Sequence, residues 1–356
     1  MDCSAALREQ LREACAKGQK LEIRGSGSKT FYGRPVRADG IVDVHEHIGI
    51  LAYEPSELFL TARAGTPLRE IDAALAERGQ MLPFEPPRFG AQASIGGTVA
   101  CGFSGPRRPY AGAVKDHILG VRILNGLGED LHFGGTVLKN VAGYDVARLM
   151  AGSLGSLALI LEVTVKVLPR PTLERTLVQE CSADQALQKL RRWMMRSTPI
   201  SASAHYQDTL YLRLSGQEHR VRNFAEQSGG EILDDDRGAR FWEDLREQGL
   251  DFFCGDAPLW RLSLPAAAPQ QPADFGASLW EWGGQQRWLR AVPDPLALRH
   301  WAQSQGGHAT LFRATPGAAV EIFQELPPPL FALHQRLKAA FDPKGILNPG
   351  RLYAGL

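Results

Sequence analysis

The chain has 356 residues, too long for one ordinary core and enough for two or three, since domains usually run to roughly 100–200 residues. Its 40 Lys and Arg against 39 Asp and Glu leave a formal charge of +1, so no global field favours nucleic acid or an anionic membrane. Cys3, Cys15, Cys101, Cys181 and Cys254 are dispersed with no C-x-x-C pair, which argues against a disulfide framework or a zinc knuckle and suits a reducing cytosol. Asp2, Arg8 and Glu9 stand where a signal peptide would need apolar residues, and no apolar run of about 18 residues predicts a spanning helix.

In chain order, Ala5 to Lys17 spaces Leu7, Leu11, Ala14 and Cys15 as a helix stopped at Gly18. Short strands are predicted at Leu21 to Arg24, Ile41 to Val44 and Leu58 to Ala64. A helix over Leu68 to Arg78 follows Pro67 and ends at Gly79. From Phe84 to Gly112 the chain is rich in Pro, Gly, Ser and Ala and reads as one long loop, the first place to expect a ligand. Ile118 to Asn125 and Asp130 to Phe133 read as a hairpin, Val146 to Met150 as helix, and Leu157 to Leu168 as a long β-branched strand. All seven tryptophans lie beyond residue 190, which predicts a separate second core. That region mixes helices at Ala183 to Arg196 and His219 to Gln227 with strands at Thr209 to Leu214 and Trp260 to Leu264. A last helix, Phe331 to Phe341, leads into Asp342-Pro-Lys-Gly-Ile-Leu-Asn348-Pro-Gly-Arg351.

Two glycine-rich segments carry the functional signal. Arg24-Gly25-Ser26-Gly27-Ser28-Lys29 follows a strand, and its glycines let consecutive N–H groups converge on an anion such as a diphosphate; a plain Gly-Ser loop is an equal reading of this segment alone. It is neither a P-loop, since Ser28 precedes Lys29, nor a Rossmann fingerprint, since Thr30 stands where the third glycine belongs. The second segment places Gln92, Ser94, Gly96, Gly97, Thr98, Cys101, Gly102, Ser104 and Gly105 within fourteen residues, small enough for backbone to approach a large flat ligand.

Ser94-Ile-Gly-Gly-Thr-Val-Ala-Cys-Gly102 resembles the second FAD-binding loop of the vanillyl-alcohol-oxidase, or PCMH-type, flavoprotein superfamily. The rest of that pattern follows in order: Gly112 to Val121 including Asp116, then Lys139-Asn-Val-Ala-Gly143-Tyr144-Asp145, then Gly152 to Glu162. The Phe341 to Arg351 tail is similar to that of the D-lactate dehydrogenase and glycolate oxidase branch, and within it the resemblance is strongest to the small FAD-binding subunits of bacterial glycolate oxidases. The family implies an α+β fold. Its PCMH-type FAD-binding domain would span 1–170 in two α+β subdomains of about 1–55 and 56–170, followed by a smaller α+β cap at 171–330 and a segment at 331–356 that returns to the flavin.

The resemblance also implies that the two loops wrap the diphosphate and ribityl chain, that Gly112 and Asp116 also bind the cofactor, that backbone at Ile160 meets its flavin or adenine end, and that Asn348 lies near the isoalloxazine ring. No histidine stands in the first loop, so the FAD is expected to be noncovalent. Lys139, Tyr144 and Asp145 read better as stitches between subdomains than as substrate contacts. Gly306-Gly307-His308 lacks the metal-binding remainder of the 2-hydroxy-acid branch, and the His45 and His47 spacing is weak, so no metal is expected. Arg313, Arg287 and Arg290 are candidates for a carboxylate clamp, with a solvated arginine the plainer reading of each, and no base stands out. The implied partners are a larger flavoprotein subunit, an iron–sulfur subunit and a small 2-hydroxy acid, with no nucleic acid and membrane association only through partners. Three roles remain open: a catalytic flavoprotein, an accessory flavin subunit, or a scaffold without FAD.

Overall fold

A computed structural model describes residues 1–135, 144–292, 294–315 and 320–356. Lys139 and Gly143 of the sequence pattern lie outside the described residues, as does the side chain of Tyr144. The chain divides into two units: Met1–Ser104, Gly112–Pro169 and Glu325–Leu356 form the first, Gly105–Ala111 and Arg170–Gln324 the second.

In the first unit, α1 (Ser4–Lys17) buries Leu7, Leu11, Ala14 and Cys15 and stops at Gly18, whose φ of 66° is the left-handed cap that glycine reaches without a Cβ clash. It covers a two-stranded parallel pair, β1 (Leu21–Arg24) and β2 (Gly40–Asp43). Next in the chain are β3 (Ile50–Glu54), β4 (Phe59–Arg63), α2 (Leu68–Ala76), β5 (Gln80–Met81), α3 (Ile95–Cys101) and the short α4 (Arg108–Ala111), which belongs to the second unit. α5 (Val114–His117), β6 (Ile118–Leu124), β7 (Asp130–Gly134), α6 (Tyr144–Leu149), β8 (Leu159–Lys166) and β9 (Leu168–Pro169) complete the stretch.

Strands β3, β4, β6, β7 and β8 make an antiparallel sheet in the order β3-β4-β8-β6-β7, with β6 and β7 forming the expected hairpin, while β5 pairs with β9. The division between the two sheets falls between β2 and β3, ahead of the expected boundary near 55, because Ile50–Glu54 pairs with β4. Central β8 serves two cores. Leu159 and Leu161 pack with α1, β1 and β2, whereas Ile160, Val163 and Val165 pack with α2 and α3. A register shift opposite Arg122 and Ile123 accounts for the swap, since one extra residue turns the following side chains to the other face.

The second unit contains β10 (Leu173–Glu180), α7 (Ala183–Met194), β11 (Ile200–Tyr206), β12 (Thr209–Gly216), α8 (Glu218–Ser228), β13 (Glu231–Ile232), α9 (Asp235–Glu247), β14 (Leu259–Ser263), β15 (Ser278–Glu281), β16 (Gln286–Arg290), α10 (Pro295–Ser304) and β17 (His308–Arg313). Its strands form one antiparallel sheet ordered β13-β10-β12-β11-β15-β16-β14-β17, with Trp242, Trp260, Trp280, Trp282 and Trp288 buried. Gly105–Ala111 joins this unit through specific bonds that the sequence did not announce. The Trp282 indole donates to Gly105 O at 3.0 Å, Tyr110 Oη lies 3.2 Å from Ser203 Oγ, and Arg107 pairs with Glu174. The last helix, α11 (Pro328–Phe341), returns to the first unit, so that boundary falls at 324/325, short of the expected 330.

The chain end completes the first unit. Ile346 and Leu347 are fully buried beside α1, β1 and β2. Leu21 N donates to Ile346 O at 2.7 Å and Asn348 N to Leu21 O at 2.9 Å, so the tail runs parallel to β1 on the side that β2 leaves open.

Candidate functional site

β1 is held on one side by β2 and on the other by the tail, and the loop Arg24 to Lys29 leaves its carboxyl end. Gly27 turns the loop at φ 76°. Among the described residues, the N–H groups of Gly25, Ser26, Gly27 and Ser28 have no internal acceptor. Four consecutive unpaired donors on a folded loop need an outside acceptor, and water or an anion can supply it. Lys29 is buried at the loop's end, with Nζ donating to Arg88 O at 3.1 Å and to Ser28 Oγ at 3.2 Å.

The second glycine segment is not the open loop its composition suggests. Its centre is helix α3, capped at both ends. Ser94 Oγ accepts from Gly97 N at 3.3 Å, and Gly102 closes the helix at φ 68°. The glycines have different reasons. A Cβ on Gly96 would sit 2.5 Å from Ala64 Cβ, so Gly96 lets α3 press on the chain leaving β4, while a Cβ on Gly97 would meet only Ser94 Oγ at 3.3 Å. Ser94, Gly97, Ala100 and Cys101 recur at helical spacing on one face, whereas Ile95, Thr98 and Val99 are fully buried on the other.

The Ser94 to Cys101 face of α3, the first loop and the tail border an open cleft of about 590 Å³ lined by Glu22, Arg24 to Thr30, Val36, Ser94, Cys101 and Arg351. It shares Ile23, Gly25, Gly97, Ala100, Leu154 and Asn348 with an inner compartment of about 440 Å³, whose further walls are Val44, Ala64, Gly96, Gly155, Ala158 and Ile160. The outer part is polar and cationic; the inner part is small and apolar.

Asn348 stands at the junction. Its Oδ1 accepts from Ile23 N at 2.7 Å and its Nδ2 donates to Leu154 O at 2.6 Å. Both Asn348 (φ 40°) and Leu154 (φ 51°) hold left-handed backbone, costly for Leu and tolerated by Asn, which places local strain at the cleft wall. Gly155 beside them is required, because a Cβ there would sit 2.7 Å from Asn348 Nδ2. Burial pushes the Cys101 thiol up to about 11 against the opposing pull of Lys29 and Arg351, so it faces the cleft as a neutral group. Arg24, Lys29 and Arg351 outnumber the single wall carboxylate, Glu22, to which Arg24 pairs at 3.0 Å.

The remaining sequence candidates lie elsewhere. Gln92 is exposed, Thr98 faces the core, and Gly102 caps α3. Ser104 Oγ accepts from Val114 N at 2.9 Å, Gly105 belongs to the second unit, and Gly112 makes a turn at φ 99°. Asp116 caps α5 by accepting from Ala113 N at 2.9 Å and pairs with Arg148 at 3.2 Å. Conversely, Glu22, Ile23, Ala100, Leu154 and Arg351 line the cleft without having been singled out, although Ala100 follows from the helical face and Arg351 ends the quoted tail motif.

The solvated reading fails for Arg287. It is fully buried and donates to Gly284 O at 3.1 Å, Pro269 O at 2.6 Å, Ala268 O at 3.0 Å and Gln271 Oε1 at 3.0 Å, with Trp280 4.5 Å from its guanidinium. Burial brings its pKa down to about 10. Arg290 likewise donates to Phe252, Cys254 and Ala257 carbonyls, and Arg313 is half-buried, its pKa lowered by burial and by Arg290. His45 pairs with Asp43 at 2.8 Å while buried His47 accepts from Cys3 N at 3.0 Å, and His308 is exposed.

Unpaired loop donors over a cationic wall fit a diphosphate, and the small-walled inner compartment fits a flat ring. The comparisons agree with this chemistry. A family model described as FAD binding domain matches residues 2–149, and one described as FAD linked oxidases, C-terminal domain, matches 318–352. Glycolate oxidase subunit GlcE of Escherichia coli is 46% identical over 355 residues, covering 100% of this chain and 99% of that one. A D-lactate dehydrogenase of Archaeoglobus fulgidus is 24% identical, covering 96% of this chain and 88% of its own. Among solved structures, alkyldihydroxyacetonephosphate synthase matches with a TM-score of 0.66 at 14% identity, covering 97% of this chain and 75% of that one, which establishes the shared fold. No described helix is long and apolar enough to cross a membrane. The chain belongs to the FAD-linked oxidase family that contains glycolate oxidase subunit GlcE, and its cofactor is FAD.

Proposed function

We propose that the chain is the FAD-bearing subunit of a glycolate oxidase complex and holds FAD noncovalently in the cleft between the Arg24 to Lys29 loop, α3 and the tail. The observation that carries this reading is the row of unpaired N–H groups at Gly25 to Ser28, facing Gly97 in a cleft assembled from the two stretches that the FAD family models match. The loop donors and Lys29 bind the diphosphate, Arg24 and Arg351 offset its charge, and Gly97 lets the backbone come close. Ala64, Ala158 and Ile160 receive one flat end of the cofactor. Bound FAD supplies a two-electron acceptor for the hydride of a 2-hydroxy acid, glycolate or D-lactate.

The residues that must handle the hydroxyl proton and the carboxylate favour a shared reaction. Arg287 and Arg290 are committed to backbone carbonyls of the second unit, which removes two of the three candidate carboxylate clamps from this chain's inventory. The subunit therefore supports oxidation carried out with a larger flavoprotein partner, passing electrons on through an iron–sulfur partner, and meets the cytoplasmic face of the membrane only through that assembly.

The purified chain should be yellow and should release close to one FAD per chain on denaturation. A colourless preparation that takes up no added FAD refutes the reading. Anaerobic glycolate should bleach the flavin only when the larger subunit is present; bleaching of the isolated chain would make it a catalyst in its own right.

A further inference from the structure

The first loop's two ends are tied to two residues of one short tail segment. Asn348 Oδ1 accepts from Ile23 N at 2.7 Å, on the strand entering the loop. Arg351, three residues later, reaches the chain leaving it: its guanidinium donates to Thr30 O at 3.1 Å, Tyr32 O at 2.6 Å and Arg34 O at 3.1 Å. Arg34 N returns a bond to Arg351 O at 2.9 Å. Gly33 makes the approach possible, since a Cβ there would lie 3.0 Å from Arg351 Nε. The held segment continues directly into the loop, with Thr30 N bonded to Gly27 O at 3.2 Å and Tyr32 N to Lys29 O at 3.1 Å.

We infer that Arg351 is a positioning residue for FAD: together with Asn348 it brackets the diphosphate loop, so that the fork of its guanidinium, more than its charge, fixes the loop's N–H groups in their binding arrangement. Three carbonyls converging on one planar fork need the fixed geometry of arginine, which a lysine ammonium cannot span. A loop ordered before the ligand arrives spares FAD the cost of ordering it. This inference rests on the reading of the cleft as the FAD site.

The test uses the full-length chain freed of FAD, with R351K, R351Q and G97D beside the parent, and titrates FAD by quenching of its fluorescence. R351K, which keeps the positive charge, should bind FAD about tenfold more weakly, and R351Q at least as weakly. Trypsin should cut the apoprotein variants faster after Arg24 and Lys29, with cleavage elsewhere unchanged. Parent-like FAD affinity in R351K overturns the inference, as does faster cleavage throughout the first unit, which would assign Arg351 to fold stability alone. Full FAD binding by G97D would instead remove the cleft reading beneath it.

Discussion

The first unit's glycine loop and the second unit's buried charges treat their polar groups in opposite ways. In the first, four successive loop N–H groups are left without internal partners, and Leu154 and Asn348 hold left-handed backbone beside them. In the second, the most deeply buried charged side chains are engaged inside the protein: Arg287 makes four hydrogen bonds, and Glu281 accepts from Trp288 Nε1 and Gln286 Nε2, each at 2.6 Å. Half-exposed N–H groups left unpaired by the fold must bond to water or to a ligand, and four in succession turned toward one cleft suit an anion. The first unit turns a row of donors outward into a cleft, whereas Arg287 and Glu281 of the second commit their polar atoms to its own framework. A long glycine-rich segment and an arginine pair look similar as sequence, and this difference in partnership separates ligand site from framework.

The sharpest way to break the contrast is Gly97→Asp. Its Cβ has room apart from Ser94 Oγ, but the carboxylate would enter the space assigned to a diphosphate, and the α3 cap would be disturbed. FAD affinity should fall at least about 100-fold, near 3 kcal/mol, while circular dichroism stays that of a folded chain. Stoichiometric flavin in this variant would sink the assignment of α3 to the cofactor.

The mirror experiment is Arg287→Met, which keeps the side chain's length and removes its donors. The carbonyls of Ala268, Pro269 and Gly284 lose their partner in a buried setting, so stability of the second unit should drop by about 3 kcal/mol. FAD affinity should not change. Calorimetry and flavin titration on the same preparation test both halves, and a variant as stable as the parent would show that those bonds are replaceable by water.

The sequence exposes the parts whose causes are local. α1 and α2 are legible because Leu7, Leu11 and Ala14, or Leu68, Ile71 and Leu75, recur at helical spacing and because Gly18 and Gly79 stop the chain. The hairpin of β6 and β7 and the strand β8 are legible for the same reason. α3 is missed because two adjacent glycines each cost a helix about 1 kcal/mol, and the compensation, the approach of Gly96 to Ala64, comes from a distant strand. Arg287 is missed because three of its four partners lie 16 to 19 residues back on an irregular stretch, two of them backbone carbonyls and the third the Gln271 side-chain oxygen. Arg351 stands in a visible motif, yet its role depends on carbonyls 317 to 321 residues away. Residue type announces the ligand's chemistry; which cation faces it is decided by long-range bonds.

The smallest predicted effect concerns Glu281 and sharpens the claim that the second unit's buried carboxylate is engaged inside the protein. Burial pushes its carboxyl up from 4.5 to about 7, against the lowering effect of the Trp288 and Gln286 donors. Below pH 4.5 the group is protonated in both folded and unfolded chains and its contribution is fully present. Between pH 4.5 and 7 the unfolded chain releases the proton while the folded chain keeps it, so stability falls through that window and levels off above it. The fall should come to about 2 kcal/mol after allowance for relaxation around the carboxylate. Glu281→Gln keeps an oxygen for both donors and cannot ionise, so its thermal midpoint should stay flat from pH 4.5 to 7 while the parent's declines. Parallel curves would mean that water reaches the carboxylate, and Glu281 would then be a solvated end of β15, open to a ligand as the first unit's loop is.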